Sequence, residues 1–220
     1  MSTLAGQRII LFANPISGAG RGHALARSLT EHLARAGARP ELHLCRACQA
    51  PVGPEPIDAI VSIGGDGTLR ESATFALNRT PDDHPLPPML VVPMGTANLM
   101  GQHLGIAWQH DRDLAHILAA LRHPRIRRLD AASANGQLCL MVAGVGLDGA
   151  IVHELDRLRQ GPISKTSYLL PALRAVREYN YPTLTVTADG RRLCTDQPAM
   201  AFIGNIPEYG TGFPILPYAR

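Results

Sequence analysis

No apolar run in this 220-residue chain approaches the length needed to cross a bilayer, so no membrane-spanning helix is expected. A basic region, apolar stretch and cleavage site in succession are also missing. The N-terminus instead enters a strand-like run, RIILFAN, within a few residues. A cytoplasmic protein, at most peripheral to a membrane, is the expectation. Cysteine is scarce. Cys45 and Cys48 form a C-x-x-C, but no second Cys or His pair follows at zinc spacing, which argues against a metal or redox centre. Cys139 and Cys194 lie in apolar strand-like runs and read as small core residues. The histidines are scattered, without an H-E-x-x-H pairing. There is no G-x-x-x-x-G-K-[ST], because GPISKT lacks the glycine before Lys165, and there is no G-x-S-x-G. No basic stripe with interleaved aromatics occurs, so nucleic-acid binding is not expected. Internal repeats and low-complexity segments are absent as well.

What remains is the composition of a soluble globular protein, 45% apolar and 18% charged. Its net charge of +3 permits anionic partners, such as nucleotide phosphates or acidic lipid headgroups. Basic residues cluster in LRHPRIRRLD and HELDRLRQGPISK, which read as solvated faces.

The first half alternates strand-like with helix-like segments. RIILFAN, ELHLC, DAIVSI and MLVVP read as strands. Leu25, Leu29, Leu33 and Ala36 recur at helical spacing, and Gly37 stops that helix. Leu69, Ser72, Ala73, Ala76 and Leu77 mark a second helical face. A third helix is expected from about Thr96 to Leu104. A fourth, begun by Asp111, carries Leu114, Ile117, Leu118 and Leu121. This order is that of a parallel sheet covered on both sides, a doubly wound α/β domain over residues 1–128. Residues 129–220 read differently. RRLDAAS, QLCLMVAGVG, PTLTVTA, RRLC and AMAFIGN are strand-like, and Asp189-Gly190 is a hairpin signal. Helical patterns at about Leu147–Arg159 and Thr166–Tyr179 interrupt them. A β-rich second domain with two helices follows.

Three glycine-bearing turns end strands in the first half: NPISGAGRG, GGDGT and PMGTANL. In open parallel sheets, ligands bind beyond the carboxyl ends of the strands. Glycines let successive N–H groups converge on an anion, and each turn opens a helix whose first N–H groups lack partners. Three such turns on one edge suggest a polyphosphate site. Asp66 lies among those donors. It could satisfy them itself, hold Mg²⁺ against a phosphate, or take a proton from an attacking hydroxyl. Thr68 and Glu71 also fit a T-x-x-E capping box, and Gly65 and Gly67 could be plain turn residues. Gly144, Gly146 and Gly149 form a G-x-G-x-x-G, but the strand that should follow a dinucleotide fingerprint is replaced by a helix-like stretch.

Taken in order, NPISGAGRG, GGDGT, PMGTANL and GVGLDG resemble the diacylglycerol kinase catalytic family, which includes bacterial lipid kinases and sphingosine kinases and is distantly related to NAD kinases. The resemblance runs over essentially the whole chain. It implies an ATP-binding α/β domain, a C-terminal β-sandwich, and Mg²⁺-dependent phosphoryl transfer to a lipid hydroxyl at a membrane surface. By the same resemblance, Asn14, Ser17, Gly18 and Arg21 line the nucleotide phosphates. Gly64, Gly65, Asp66, Gly67 and Thr68 cradle the triphosphate, with Asp66 handling metal or proton. Gly95, Thr96 and Asn98 contact nucleotide, and Asp148 lies near the acceptor headgroup. Asp148 is equally readable as a first-turn helix acid.

Two departures from the family stand out. Leu99 follows Asn98 where many members carry Asp. The family also continues past its Pro-x-Ala segment into an Asp-Gly segment, further strands and acidic residues, whereas this sequence stops at Arg220. The second domain is then expected to be incomplete, with an open strand edge that would favour a homo-oligomer; either the chain is a fragment of a longer protein, or it is a shortened form with weak or no kinase activity. Two rivals stay open: an NAD-kinase-like enzyme, and a truncated non-catalytic nucleotide-binding protein.

Overall fold

β1 (Arg8–Ala13) reads RIILFA, and all six residues are buried. A strand buried on both faces belongs inside a parallel sheet. The computed structural model, which describes residues 4–15, 17–106, 113–157, 176–209 and 213–219, places it there. With β2 (Arg39–His43), β3 (Ala59–Gly64) and β4 (Met89–Pro93) it forms a four-stranded sheet in the order β2-β1-β3-β4. Every neighbour is parallel, with Leu11 opposite both Leu42 and Val61.

Side-chain alternation along β1 divides the core in two. Ile9 and Leu11, with Val61, Ile63 and Val92, meet Leu29 and Leu33 of α1 (Arg21–Arg35) and Ile117 of α4 (Asp113–Arg122). Ile10 and Phe12, with Ile60, meet Ala76 and Phe75 of α2 (Asp66–Arg79) on the other face. Each such side chain, fully buried, stabilises the fold by about 1.5–3 kcal/mol. The sheet is thus doubly wound, as its alternating pattern requires. Gly37 ends α1 at φ 83°, a left-handed conformation that glycine adopts without cost.

The opposite end of β1 is held by charge. Arg8 is buried, and its guanidinium donates to both carboxylate oxygens of Glu41 on β2, Nε–Oε1 at 2.6 Å and Nη2–Oε2 at 3.1 Å. That pairing holds the Glu41 carboxyl below its usual range.

The helices differ from expectation in two places. Leu77 is 40% exposed. At about 100° per residue it falls about 80° round from Leu69, outside the arc that Leu69, Ser72, Ala73 and Ala76 bury. The third helix, α3 (Leu99–His103), starts later than Thr96, because Asn98 takes a left-handed conformation, φ 52°. Asp111 lies outside the described residues.

The second half is β-rich, as its composition indicates. QLCLMVAGVG is two strands rather than one, β6 (Gln137–Cys139) and β7 (Val142–Val145), because Leu140 and Met141 bend between them to pack with Leu69, Met100 and Ile206. RRLDAAS contributes only β5 (Ala132–Ala134), paired with β6. After α5 (Leu147–Arg157), β8 (Thr183–Ala188) and β9 (Arg191–Pro198) form a hairpin whose turn residues Asp189 and Gly190 both have positive φ. β10 (Ala201–Gly204) pairs with β7, and β11 (Glu208–Tyr209) with β12 (Phe213–Pro214). Among the described residues these are two-stranded ladders. Cys139 and Cys194 are half-buried rather than core. Of the helix expected at Thr166–Tyr179, residues 166–175 lie outside the described residues, while 176–178 are helical. Among the described residues, no helix is long and apolar enough to cross a membrane.

The two sides of these helices should respond differently to truncation. Leu33→Ala, at a fully buried position, is expected to cost about 2–5 kcal/mol in denaturant unfolding. Leu77→Ala is expected to stay within about 0.5 kcal/mol.

Candidate functional site

The carboxyl ends of β1, β3 and β4 are neighbours in the sheet, so the turns that follow them meet on one rim. The first runs from Asn14, whose N–H donates to the Ile63 carbonyl at 3.1 Å. The Ser17 N–H donates to the Asn14 carbonyl, and Ser17–Gly20 form one turn of 3-10 helix leading into α1. Gly18 has φ 60°, and a Cβ there would come within 2.9 Å of the Met94 side chain after β4. Arg21 is exposed, and its Nε donates to the Gly18 carbonyl at 2.9 Å. One of its five N–H donors is thus used to brace its own turn.

The second and third turns are built into each other. The Met94 N–H donates to the Gly64 carbonyl at 2.7 Å. A Cβ on Gly95 would fall 2.6 Å from the Gly65 Cα, so neither backbone leaves space for a side chain. A Cβ on Gly64 would overlap the Thr68 side chain, which folds back over it. Asn98 clasps Gly95: its Oδ1 accepts from the Gly95 N–H at 2.8 Å, and its Nδ2 donates to the Gly95 carbonyl at 2.7 Å. Thr96 stands exposed on this turn.

Asp66 closes the joint. Its Oδ2 accepts from the Leu99 N–H at 3.1 Å and its Oδ1 from the Met100 N–H at 3.3 Å, so it caps α3 across the rim. One of the roles open at the sequence level, satisfying bare N–H donors, is therefore filled, but by the donors of α3 rather than those of its own helix. Each carboxylate oxygen retains a second lone pair.

The T-x-x-E capping box does not form. α2 begins at Asp66, two residues before Thr68, and its N-cap is Gly65, with no side-chain cap. Glu71 instead pairs with Arg46 after β2, at 2.6 Å. Among the described residues, no side chain caps the first amides of α2, which lie at the positive end of a 14-residue helix. Gly67 lies among them. It is exposed, and nothing lies within 4 Å of where its Cβ would be.

The structure thus brings Asn14, Ser17, Gly18, Arg21, Gly64, Gly65, Asp66, Gly67, Thr68, Gly95, Thr96 and Asn98 onto one rim. Asp148 belongs to a different element, the first turn of α5. It is buried against Gly144, where a Cβ would overlap its carboxylate, and burial pushes its carboxyl above the usual range. Among the described residues, no hydrogen bond joins it to the three turns. Sequence reasoning missed Met94 as the packing partner of Gly18, and the clasp of Asn98 on Gly95. Asn is one of the few residues that enter the left-handed region readily, and that preference was the available signal.

Chemically, the rim offers close backbone approach, the N-terminus of a 14-residue helix and one arginine, which suit an anion of several charges, together with one carboxylate, which suits a cation. Among the described residues, no group of three or more His, Cys, Asp or Glu is arranged to hold a metal.

Comparison with known proteins is consistent with this geometry. A family model described as "Diacylglycerol kinase catalytic domain" matches residues 8–134, more than half of the chain. "Uncharacterized protein sll0036" of Synechocystis sp. is 24% identical over 148 residues, 67% of this chain and 32% of that protein. "Probable lipid kinase YegS" of Escherichia coli O1:K1 / APEC is 27% identical over 118 residues, 53% of this chain and 38% of that protein. The match therefore spans only 32% and 38% of the length of these curated relatives. Two solved structures of a provisionally named diacylglycerol kinase from Bacillus anthracis str. Sterne share its fold. Their TM-scores are 0.64 and 0.68, at 22% and 23% identity, covering 94% and 97% of this chain and 68% and 72% of theirs. By its glycine-rich rim, its fold and the family match over residues 8–134, the chain belongs to the diacylglycerol kinase catalytic-domain family.

Proposed function

We propose that this chain binds ATP with Mg²⁺ along the glycine rim and serves transfer of the γ-phosphoryl group to a hydroxyl of diacylglycerol or a related lipid. The observation that carries this reading is the close approach of Gly65 and Gly95, which leaves no space for a Cβ on Gly95 and seats the two turns together beside the N-terminus of α2. In this reading residues 1–128 are the nucleotide-binding domain, and residues 129–220 form the β-rich part that meets the lipid.

The residues present fit both groups. A cradle that any Cβ would fill suits a polyphosphate. A single carboxylate suits Mg²⁺, which keeps several waters and is held through one or two carboxylates together with phosphate oxygens. When bound, Mg²⁺–ATP supplies the transferable phosphoryl group and part of the charge neutralisation that transfer needs. Gly64, Gly65, Gly67 and Thr68 would hold the phosphates through the amides of the α2 N-terminus. Asn14, Ser17, Gly18 and Arg21 would close over them from the first turn, Arg21 through its remaining donors. Gly95, Thr96 and Asn98 would fix the nucleotide from the third. Asp66 would hold the metal, or receive the proton of the acceptor hydroxyl, through the lone pairs that α3 leaves. Asp148 would orient the lipid headgroup.

Gly67→Ala separates binding from folding. Alanine suits a helix better than glycine and meets no neighbour here, so stability should rise by up to about 1 kcal/mol. ATP affinity, read by calorimetry, should nevertheless fall by about tenfold or more, ~1.4 kcal/mol. Unchanged affinity would contradict the cradle.

Asp66→Asn should abolish transfer to diacylglycerol vesicles. It should also cost about 1 kcal/mol of stability, because an amide nitrogen cannot accept from α3. Wild-type turnover in this variant would remove Asp66 from the chemistry. Parallel assays with NAD as acceptor would identify an NAD-kinase-like enzyme. ATP binding without product on any acceptor would identify a non-catalytic binder.

Asp148→Asn has a stability signature of its own. Burial raises the folded-state carboxyl, so ionising it weakens the native state as pH rises above the ordinary value of 3.8. The variant should be the more stable protein at pH 7 and lose that advantage below pH 3.8 in urea melts. An advantage that persists in acid would point to another cause.

A further inference from the structure

α3 has five residues, too few to persist without support from outside the helix. Asp66 holds its N-terminal end, accepting from the amides of Leu99 and Met100. Met100 holds its flank, packed with Leu69 and Ile206. The other end carries His103, whose side chain is only 10% exposed. Nδ1 of that ring lies 3.1 Å from Oε2 of Glu208 on β11, a half-buried carboxylate. The two residues are 105 positions apart, so the pair ties the helix behind Asp66 to the second half of the chain.

The chemistry of the pair fixes its geometry. A carboxylate only accepts, so Nδ1 carries the proton and donates it to Glu208. That holds for the neutral ring and for the charged one. The contact of Met100 with Ile206 presses α3 against the second half, but apolar burial has no direction and leaves the helix free to turn about its axis. A hydrogen bond has a preferred line and removes that freedom.

His103 stands about one helical turn beyond Leu99 and Met100, so a rotation at one end of so short a helix reaches the other. The amides of Leu99 and Met100 orient the Asp66 carboxylate. Asn98, which clasps Gly95, immediately precedes them. The third turn of the rim therefore hangs on the same helix.

We infer that His103 and Glu208 are positioning residues for Asp66. Glu208 fixes the His103 ring, the ring fixes the rotation of α3, and α3 presents its first amides to the carboxylate. The second half of the chain thereby sets the geometry of the rim. The consequence for phosphoryl transfer rests on the lipid-kinase reading, but the positioning itself does not.

The test is amide hydrogen exchange of the full chain, read by NMR without nucleotide. The amides of Leu99 and Met100 report the Asp66 bonds, and those of β1 report global opening. His103→Ala and Glu208→Ala should each lower protection at Leu99 and Met100 by about tenfold more than in β1. The double variant should lose no more than either single one, because the two side chains act as a unit. Glu208→Gln, which still accepts, and His103→Asn, which still donates, should restore protection. His103→Leu should behave as His103→Ala, and it carries the test if the alanine variant does not fold. In transfer to diacylglycerol vesicles, kcat of the alanine variants should fall more than the KM for ATP rises.

Four results would overturn the inference: unchanged protection at Leu99 and Met100, a loss there no greater than in β1, Gln and Asn variants no better protected than alanine, or a raised KM with kcat intact. Failure of the lipid-kinase reading alone would appear as the same loss of amide protection in a chain that phosphorylates no lipid.

Discussion

Gly65 and Gly95 touch backbone to backbone at the ends of two neighbouring parallel strands, and the rest of the rim is arranged around that contact. With a Cβ on either, the turns after β3 and β4 would separate. The bond from Met94 N–H to the Gly64 carbonyl and the reach of Asp66 to the amides of Leu99 and Met100 span the same joint, and Met94 beside Gly18 ties it to the turn after β1. Asp66 is therefore a structural tie as well as the carboxylate proposed for the chemistry. A group that already accepts two backbone hydrogen bonds is held in one orientation, and such positioning is what phosphoryl transfer asks of a protein.

The sheet supplies the rigidity this joint needs. β1 and β3 are packed from both faces, so their carboxyl ends are fixed by side chains on either side. The second half contributes Ile206, fully buried beside Leu69 of α2 and Met100 of α3. The helices on either side of Asp66 are thus pressed by the β-rich part of the chain, which links the rim to the part proposed to meet lipid.

Hydrophobic period and turn chemistry made the parallel sheet, the four helices of the first half, the Asp189-Gly190 hairpin and the membership of the rim legible in the sequence. What escaped was set by tertiary contacts. Leu77 matched the helical pattern by type but lies just outside the buried arc. QLCLMVAGVG reads as one apolar run, yet Leu140 and Met141 leave the strands to fill a cluster that the sequence does not announce. Thr68 and Glu71 satisfied a capping pattern, but Arg46, brought near by the turn after β2, took Glu71 instead.

The central claim is that the rim holds the polyphosphate of a nucleotide. A crystal structure with a non-hydrolysable ATP analogue and Mg²⁺ tests it most directly. The account predicts phosphate oxygens within hydrogen-bond distance of the amides of Gly67 and Thr68, with the metal beside Asp66. A nucleotide bound elsewhere, with those amides facing only solvent, would contradict it.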